Sequence, residues 1–248
     1  MNLPFLRALI RLAAAVLLLL SLPMPAMART FPQDDPFFLP EIKSDHPALS
    51  HVDVVIDVGH GGIDGGTSYG TILEKDINLA IAKLTYEQLR KNGYLVLMNR
   101  TADYALSGEN LWLRSKSRHI KDLAQRAHLA NEVDPKLVIS LHVNAARRSS
   151  SRGALILHQK NERSKALALS LQSSLNDMYG IPNAPIYGRT YYLLKYSKSP
   201  AVIVEMGFLT NPEDRELLTS KKGQQAIAAR IAEGVASYLK AQKQVKQP

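Results

Sequence analysis

The sequence predicts an α/β protein: a single three-layer domain with a twisted, mostly parallel sheet flanked by helices. Three observations carry this expectation. From Val52 onward, short segments rich in β-branched residues alternate with longer ones of helical spacing, the order that builds parallel sheets. No internal repeat or low-complexity tract interrupts the alternation, and no second domain is visible. Several of the short segments also end in polar residues, where open α/β sheets build their sites.

Strands are expected at 52–58, 94–98, 136–141, 154–157, 190–194 and 201–205, each apolar and rich in β-branched or aromatic residues. Helices are expected at 77–91, 113–131, 164–179 and 224–241, where Leu, Ile and Ala recur with helical period. Asn211-Pro212-Glu213 reads as a further helix start, with Asn as cap and Pro in the first turn.

The first 28 residues read as an export signal. Arg7 and Arg11 precede a predominantly apolar run over 12–22, and Ala26 and Ala28 allow cleavage before Arg29. The run is shorter than the roughly 20 residues that span a bilayer. Retention as an uncleaved anchor stays open beside cleavage. Residues 29–51, with four prolines, are expected to be a linker, 52–241 the folded domain and 242–248 a basic tail.

The chain has no cysteine, which excludes thiol catalysis, cysteine zinc sites and disulfides. Any metal must be held by His and carboxylates. Removing residues 1–28 takes away two arginines and lowers the formal charge from +9 to +7. Such a balance suits a polyanionic partner. Export points away from nucleic acid and towards anionic cell wall or membrane lipid, and a basic protein without any polyanion site is the plain alternative.

Three strand ends and one helix start carry the chemistry. Asp57-Val58-Gly59-His60-Gly61-Gly62 is followed by Asp64-Gly65-Gly66. Ser140-Leu141-His142-Val143-Asn144-Ala145 ends the third expected strand, and Glu205-Met206-Gly207-Phe208-Leu209-Thr210-Asn211 the last. Glu74 opens the helix after the glycine loop. Two imidazoles and one carboxylate, His60, His142 and Glu74, are the ligand set of many hydrolytic zinc sites, with a fourth position left for water. Zinc brings the pKa of that water to about 7. Glu205 would then carry the proton from the water to the leaving amine. Each residue also has a duller explanation: a hydrogen-bonded strand-end histidine, a first-turn acid at a helix dipole, a buried ion-pair partner.

Two rival motifs fail on context. Gly66-Thr67-Ser68-Tyr69-Gly70 spells G-x-S-x-G, but that motif works only as a sharp strand-to-helix turn. Ser68 lies inside a glycine-rich loop instead. Gly59-His60-Gly61 begins a nucleotide-binding pattern, but Asp64 stands in place of its third glycine.

Read in order, these segments, with Glu74-Lys75-Asp76-Ile77-Asn78-Leu79, resemble the motifs of zinc-dependent N-acetylmuramoyl-L-alanine amidases. Asn99-Arg100-Thr101-Ala102-Asp103 and Arg126-Ala127-His128-Leu129-Ala130-Asn131 fit the same pattern. The resemblance spans roughly 52–240. It departs at Val58, where many members carry proline, and at Asn99, where threonine is common. It implies one zinc ion per chain on His60, Glu74 and His142, with Glu205 catalytic. The implied reaction is hydrolysis of the amide between N-acetylmuramic acid and the L-alanine of the stem peptide. Arg126 and Asn144 match recurring positions and are read as candidate substrate contacts or supports of the ligands. His119, His128 and His158 match no ligand position.

A short signal before a bare domain, and the basic stretch 113–118, resemble the branch acting in spore cortex maturation, where muramic lactam forms, or in germination. That implies peptidoglycan as substrate, an exported location in the cell wall or between the spore membranes, and membrane contact only through the N-terminal segment. No nucleic-acid partner is expected, and no activating protein is identified. A vegetative autolysin of the same chemistry is the alternative. A serine esterase using Ser68 and a non-enzymatic wall-binding module are the rivals from other classes.

Overall fold

The structure, a computed structural model, describes residues 52–245. The expected signal (1–28), the linker (29–51) and the last three residues of the tail lie outside the described residues.

Strands β1 (Val54–Val58), β4 (Val96–Met98), β5 (Leu137–Asn144), β6 (Leu155–His158), β7 (Ile186–Tyr187) and β8 (Ala201–Phe208) form one sheet in the order β4-β1-β5-β8-β6-β7. The first four strands of that order run parallel, β6 is antiparallel to β8, and β7 is parallel to β6. Strands β2 (Ser68–Tyr69) and β3 (Ile72–Leu73) make a separate hairpin. The helices are α1 (Glu74–Lys91), α2 (Arg118–Val133), α3 (Glu162–Tyr179), α4 (Tyr192–Tyr196), α5 (Pro212–Thr219) and α6 (Lys221–Val245). None of the described helices is long and apolar enough to cross a membrane.

Strand alternation divides the core into two. Val54, Ile56 and Val58 of β1 enter a cluster with Ile81 of α1, Leu171 of α3 and Ile231 of α6. Val55 enters another, with Ala127 of α2 and Leu194 of α4. Successive side chains of a strand point to opposite faces, so a strand covered on both sides reads as the continuous apolar run seen in β1. The three layers follow: α1, α3 and α6 on one face, the sheet, and α2 with α4 on the other.

Several boundaries differ from expectation. The segment 190–194 is not a strand; Tyr192–Tyr196 is helical and β7 lies just before it. A short apolar run is ambiguous by pattern alone. Here the helical turn stacks Tyr192 on Tyr196 at 4.4 Å and turns Leu193 and Leu194 into the core. Helix α2 begins at Arg118 rather than 113, because Ser117 caps it by accepting from the Ile120 N–H at 3.2 Å. Helix α6 continues through Val245, past the expected 241. Finally, β5 and β8 extend to Asn144 and Phe208, so His142 and Glu205 stand within the ladder as paired neighbours. A bulge follows directly, between His142 and Asn144. There Asp214 accepts the Phe208 N–H at 2.8 Å, and the Tyr179 hydroxyl donates to the Met206 carbonyl.

Candidate metal centre

The chain leaves β1 through Gly59, whose N–H still reaches the Leu141 carbonyl at 3.1 Å. A Cβ there would stand 2.5 Å from the His142 ring, so no larger residue fits. His60 then takes a left-handed backbone, φ +59°, a conformation that costs a non-glycine residue about 1–3 kcal/mol. Its Nε2 lies 3.2 Å from Glu74 Oε1, and its Nδ1 lies 2.9 Å from Asp64 Oδ2. With Asp64 accepting from Nδ1, Nε2 faces the cluster and would present its lone pair once its own proton is lost.

Glu74 enters from α1. Its Oε2 accepts the Thr67 N–H at 2.8 Å and its Oε1 the Val143 N–H at 3.0 Å. Asn78, one turn on, donates to the same Oε1 at 3.3 Å. His142 of β5 places Nδ1 3.0 Å from it. The ligand-capable atoms of His60, Glu74 and His142 all lie within 4.8 Å of one another. The cluster favours positive charge. Burial opposes protonation of His60, yet hydrogen bonds and charge from Glu74 and Asp64 raise it to about 9. Burial likewise works against the Glu74 carboxylate, but the two imidazoles hold its pKa well below the usual range. Two imidazoles and a carboxylate meeting at one point fit a divalent transition-metal ion.

Glu205 lies beside the cluster on β8, opposite His142 in register. Its Oε2 is buried and has no hydrogen-bond partner. Burial first, and then the Glu74 charge, raise its pKa, with His142 and His60 pulling the other way.

Arg126 does not line the metal cluster. It is buried on α2 behind the His60 loop, with Nη1 on Asp57 (2.9 Å) and the Val58 carbonyl (2.6 Å), Nη2 on the His60 carbonyl (2.9 Å) and Nε on Asp122 (2.6 Å). These bonds hold the loop from behind, and Arg126 also lines a small pocket with His60 and His142. Asn144 does not orient His142; its Oδ1 accepts the neighbouring Ala145 N–H at 2.8 Å. Ser68 sits exposed on the β2–β3 hairpin. His128 and His158 lie elsewhere, against Glu132 and the Gln159 carbonyl.

Arg100 was given no role by the sequence. It is fully buried and donates to the carbonyls of Val58 (3.2 Å), Gly59 (3.0 Å), Lys75 (2.9 Å) and Ala102 (3.0 Å). It thereby ties the segment before His60 to the first turn of α1, where Glu74 sits. The loop leaves the sheet with three successive carbonyls lacking ladder partners, and the two guanidinium groups satisfy all of them.

Residues 54–237 match the family described as N-acetylmuramoyl-L-alanine amidase. The chain belongs to that family. A germination-specific N-acetylmuramoyl-L-alanine amidase of Bacillus subtilis is 34% identical over 196 residues, covering 77% of this chain and 81% of that protein. The amidase LytC of the same organism is 31% identical over 188 residues, covering 75% of this chain and 35% of that protein. Among solved structures, the CwlD amidase of Clostridioides difficile in complex with the GerS lipoprotein is 31% identical. Its TM-score is 0.72, over 77% of this chain and 100% of that one.

Proposed function

We propose that this chain is a zinc enzyme that hydrolyses the amide joining N-acetylmuramic acid to the L-alanine of the stem peptide. One observation carries the reading. Three metal-ligating side chains converge on one point, and beside them is a buried carboxyl oxygen with no partner. His60, Glu74 and His142 would hold the ion. Zinc, when bound, supplies a Lewis acid that makes water nucleophilic near neutral pH. Glu205 accepts the proton that the attacking water loses, at Oε2, and returns it to the amide nitrogen as that bond breaks. Its upward-shifted pKa suits a group that must both take and give a proton. Asp64 keeps His60 in the tautomer that presents Nε2, and Arg126 and Arg100 hold the loop behind it.

The substrate is peptidoglycan, and the place of action is outside the cytoplasm, reached through the signal at 1–28. Similarity to a germination-specific amidase and to CwlD supports a role in spore cortex maturation or germination. Similarity to LytC supports vegetative wall turnover by the same chemistry as the second reading. The lipoprotein held by CwlD makes an exported protein partner the one to seek first.

The test is digestion of intact peptidoglycan by the purified protein, with chelator and then with zinc restored, followed by mass spectrometry. We expect free stem peptides beginning with L-alanine, lost on chelation and regained with zinc. Release that survives complete metal removal would falsify the metal reading. Fragments that keep muramic acid attached to the peptide would move the cut to another bond.

A further inference from the structure

A cavity of about 460 Å³ opens directly beside His60 and runs between Ile63 and the first turn of α2, where Arg118 and His119 line it. Its volume falls in the range of roughly 300–1,000 Å³ that holds small ligands. Two acids, Asp64 and Asp122, also face it, and both are engaged. Asp64 is held by His60 Nδ1 at 2.9 Å and the Gly66 N–H at 3.1 Å. Asp122 is held by Arg126 Nε at 2.6 Å and the Leu106 N–H at 2.7 Å. Among the described residues Arg118 has no acid partner. Arg118 is therefore a cation on the cavity wall that no acid engages, while both acids of the lining are already held.

The substrate of the reaction proposed above is asymmetric about its scissile amide. On the sugar side the lactyl carboxyl is consumed in the amide and the N-acetyl groups are neutral. On the peptide side the residue after alanine, a glutamate linked through its side chain, has a free main-chain carboxylate. Cations select anions at short range, so the unengaged Arg118 guanidinium suits the peptide and not the glycan.

We propose that this cavity is the subsite for the stem peptide, with Arg118 the specificity-determining residue that binds its first carboxylate. His119 lines the same wall. The subsite rests on the amidase reading, and the experiment separates the two.

Two substrates differ by that one group: N-acetylmuramoyl-L-alanyl-D-glutamate and its D-isoglutamine counterpart, in which an amide replaces the carboxylate. Hydrolysis of each is measured with the zinc-supplemented full chain and with Arg118→Gln and Arg118→Glu. For the acid substrate, Arg118→Gln should lower kcat/KM about fivefold through KM, as for one partly exposed charge pair. The amide substrate should be unaffected, and Arg118→Glu should reverse the order of preference. Equal losses on both substrates, or none on either, would overturn the subsite. Failure of the native chain to cut either substrate would overturn the amidase reading alone. The subsite is then read by calorimetric binding of the two dipeptides, L-alanyl-D-glutamate and L-alanyl-D-isoglutamine. Arg118→Gln should weaken only the first, and identical binding to native and variant would overturn it. Folding of the variants is checked by thermal midpoint, which an exposed position should leave unchanged.

Discussion

Glu74 and Glu205 are buried to a similar degree, 3% and 9% exposed, yet their surroundings make them opposite acids. Glu74 receives two backbone N–H groups, an Asn78 amide and two imidazoles, and its pKa is driven down. Glu205 has a buried oxygen with no partner, and its pKa is driven up by burial. A carboxylate held in place by several donors is a fixed group, ready to serve as a ligand. One with a buried oxygen left bare is a group prepared to hold a proton. Burial alone therefore says little about the role of an acid; the number of donors aimed at it decides.

The comparison breaks most sharply under conservative amide substitutions. Glu205→Gln should lower kcat about 10³-fold, the middle of the range for loss of a general acid–base, with metal content unchanged by elemental analysis. Glu74→Gln should instead weaken metal binding by more than about 100-fold, since even residues that merely support ligands contribute 10–100-fold. Chelator competition measures this. If Glu205→Gln lost the metal and Glu74→Gln kept it, the two assignments would have to be exchanged.

A third buried acid sharpens the contrast. Burial alone would raise the pKa of Asp57, but the Arg126 guanidinium and the Ser140 hydroxyl overcome this and hold it below the ordinary value. Removing one charge from such a buried pair costs about 3–5 kcal/mol, so Asp57→Asn should destabilise the fold by that order at pH 7 in urea titration. A depressed folded-state pKa contributes stability above the unfolded value and loses it as pH falls. The gap between native and variant should therefore narrow below about pH 4. A gap that stays constant to pH 3 would mean that Asp57 is not held ionised by Arg126.

The smallest effect is expected at Arg100. Arg100→Lys keeps the charge but not the fork that bridges the His60 loop and α1. Metal affinity should fall about tenfold while kcat at saturating metal stays near the native value. A tenfold loss in kcat without loss of affinity would place Arg100 in the chemistry instead.

Much of this was legible before the fold was known, and unevenly so. His60, Glu74, His142 and Glu205 stand in short motifs at strand and helix ends, and chemistry of that kind is written in residue type. Asp64 lay in plain view as an acid four residues after His60, inside a glycine loop, but its task of fixing the imidazole tautomer appears only with the loop closed. Arg100 was less readable still, and Arg126 stood out only through the family resemblance. Both act on backbone carbonyls, which every residue has, and no pattern in the chain says which carbonyls will be left without a ladder partner. Arg126 meets Asp57 across 69 positions, a separation that helical periodicity cannot report. The segment at 190–194 was misread because aromatic and branched residues suit a strand and a tightly packed helical turn equally well.

The pairing of His142 with Glu205 on adjacent strands has a consequence for how this enzyme can change. The two groups are set side by side by ladder hydrogen bonds, whereas the chain between them travels through β6, α3, β7 and α4 before returning. Insertions in the exposed turns of that excursion would leave their spacing untouched. A single residue gained or lost inside β8 between Ala201 and Glu205 would turn the carboxylate to the far face of the sheet. Length is thus free to drift in the exposed turns of that excursion, and forbidden over one short strand.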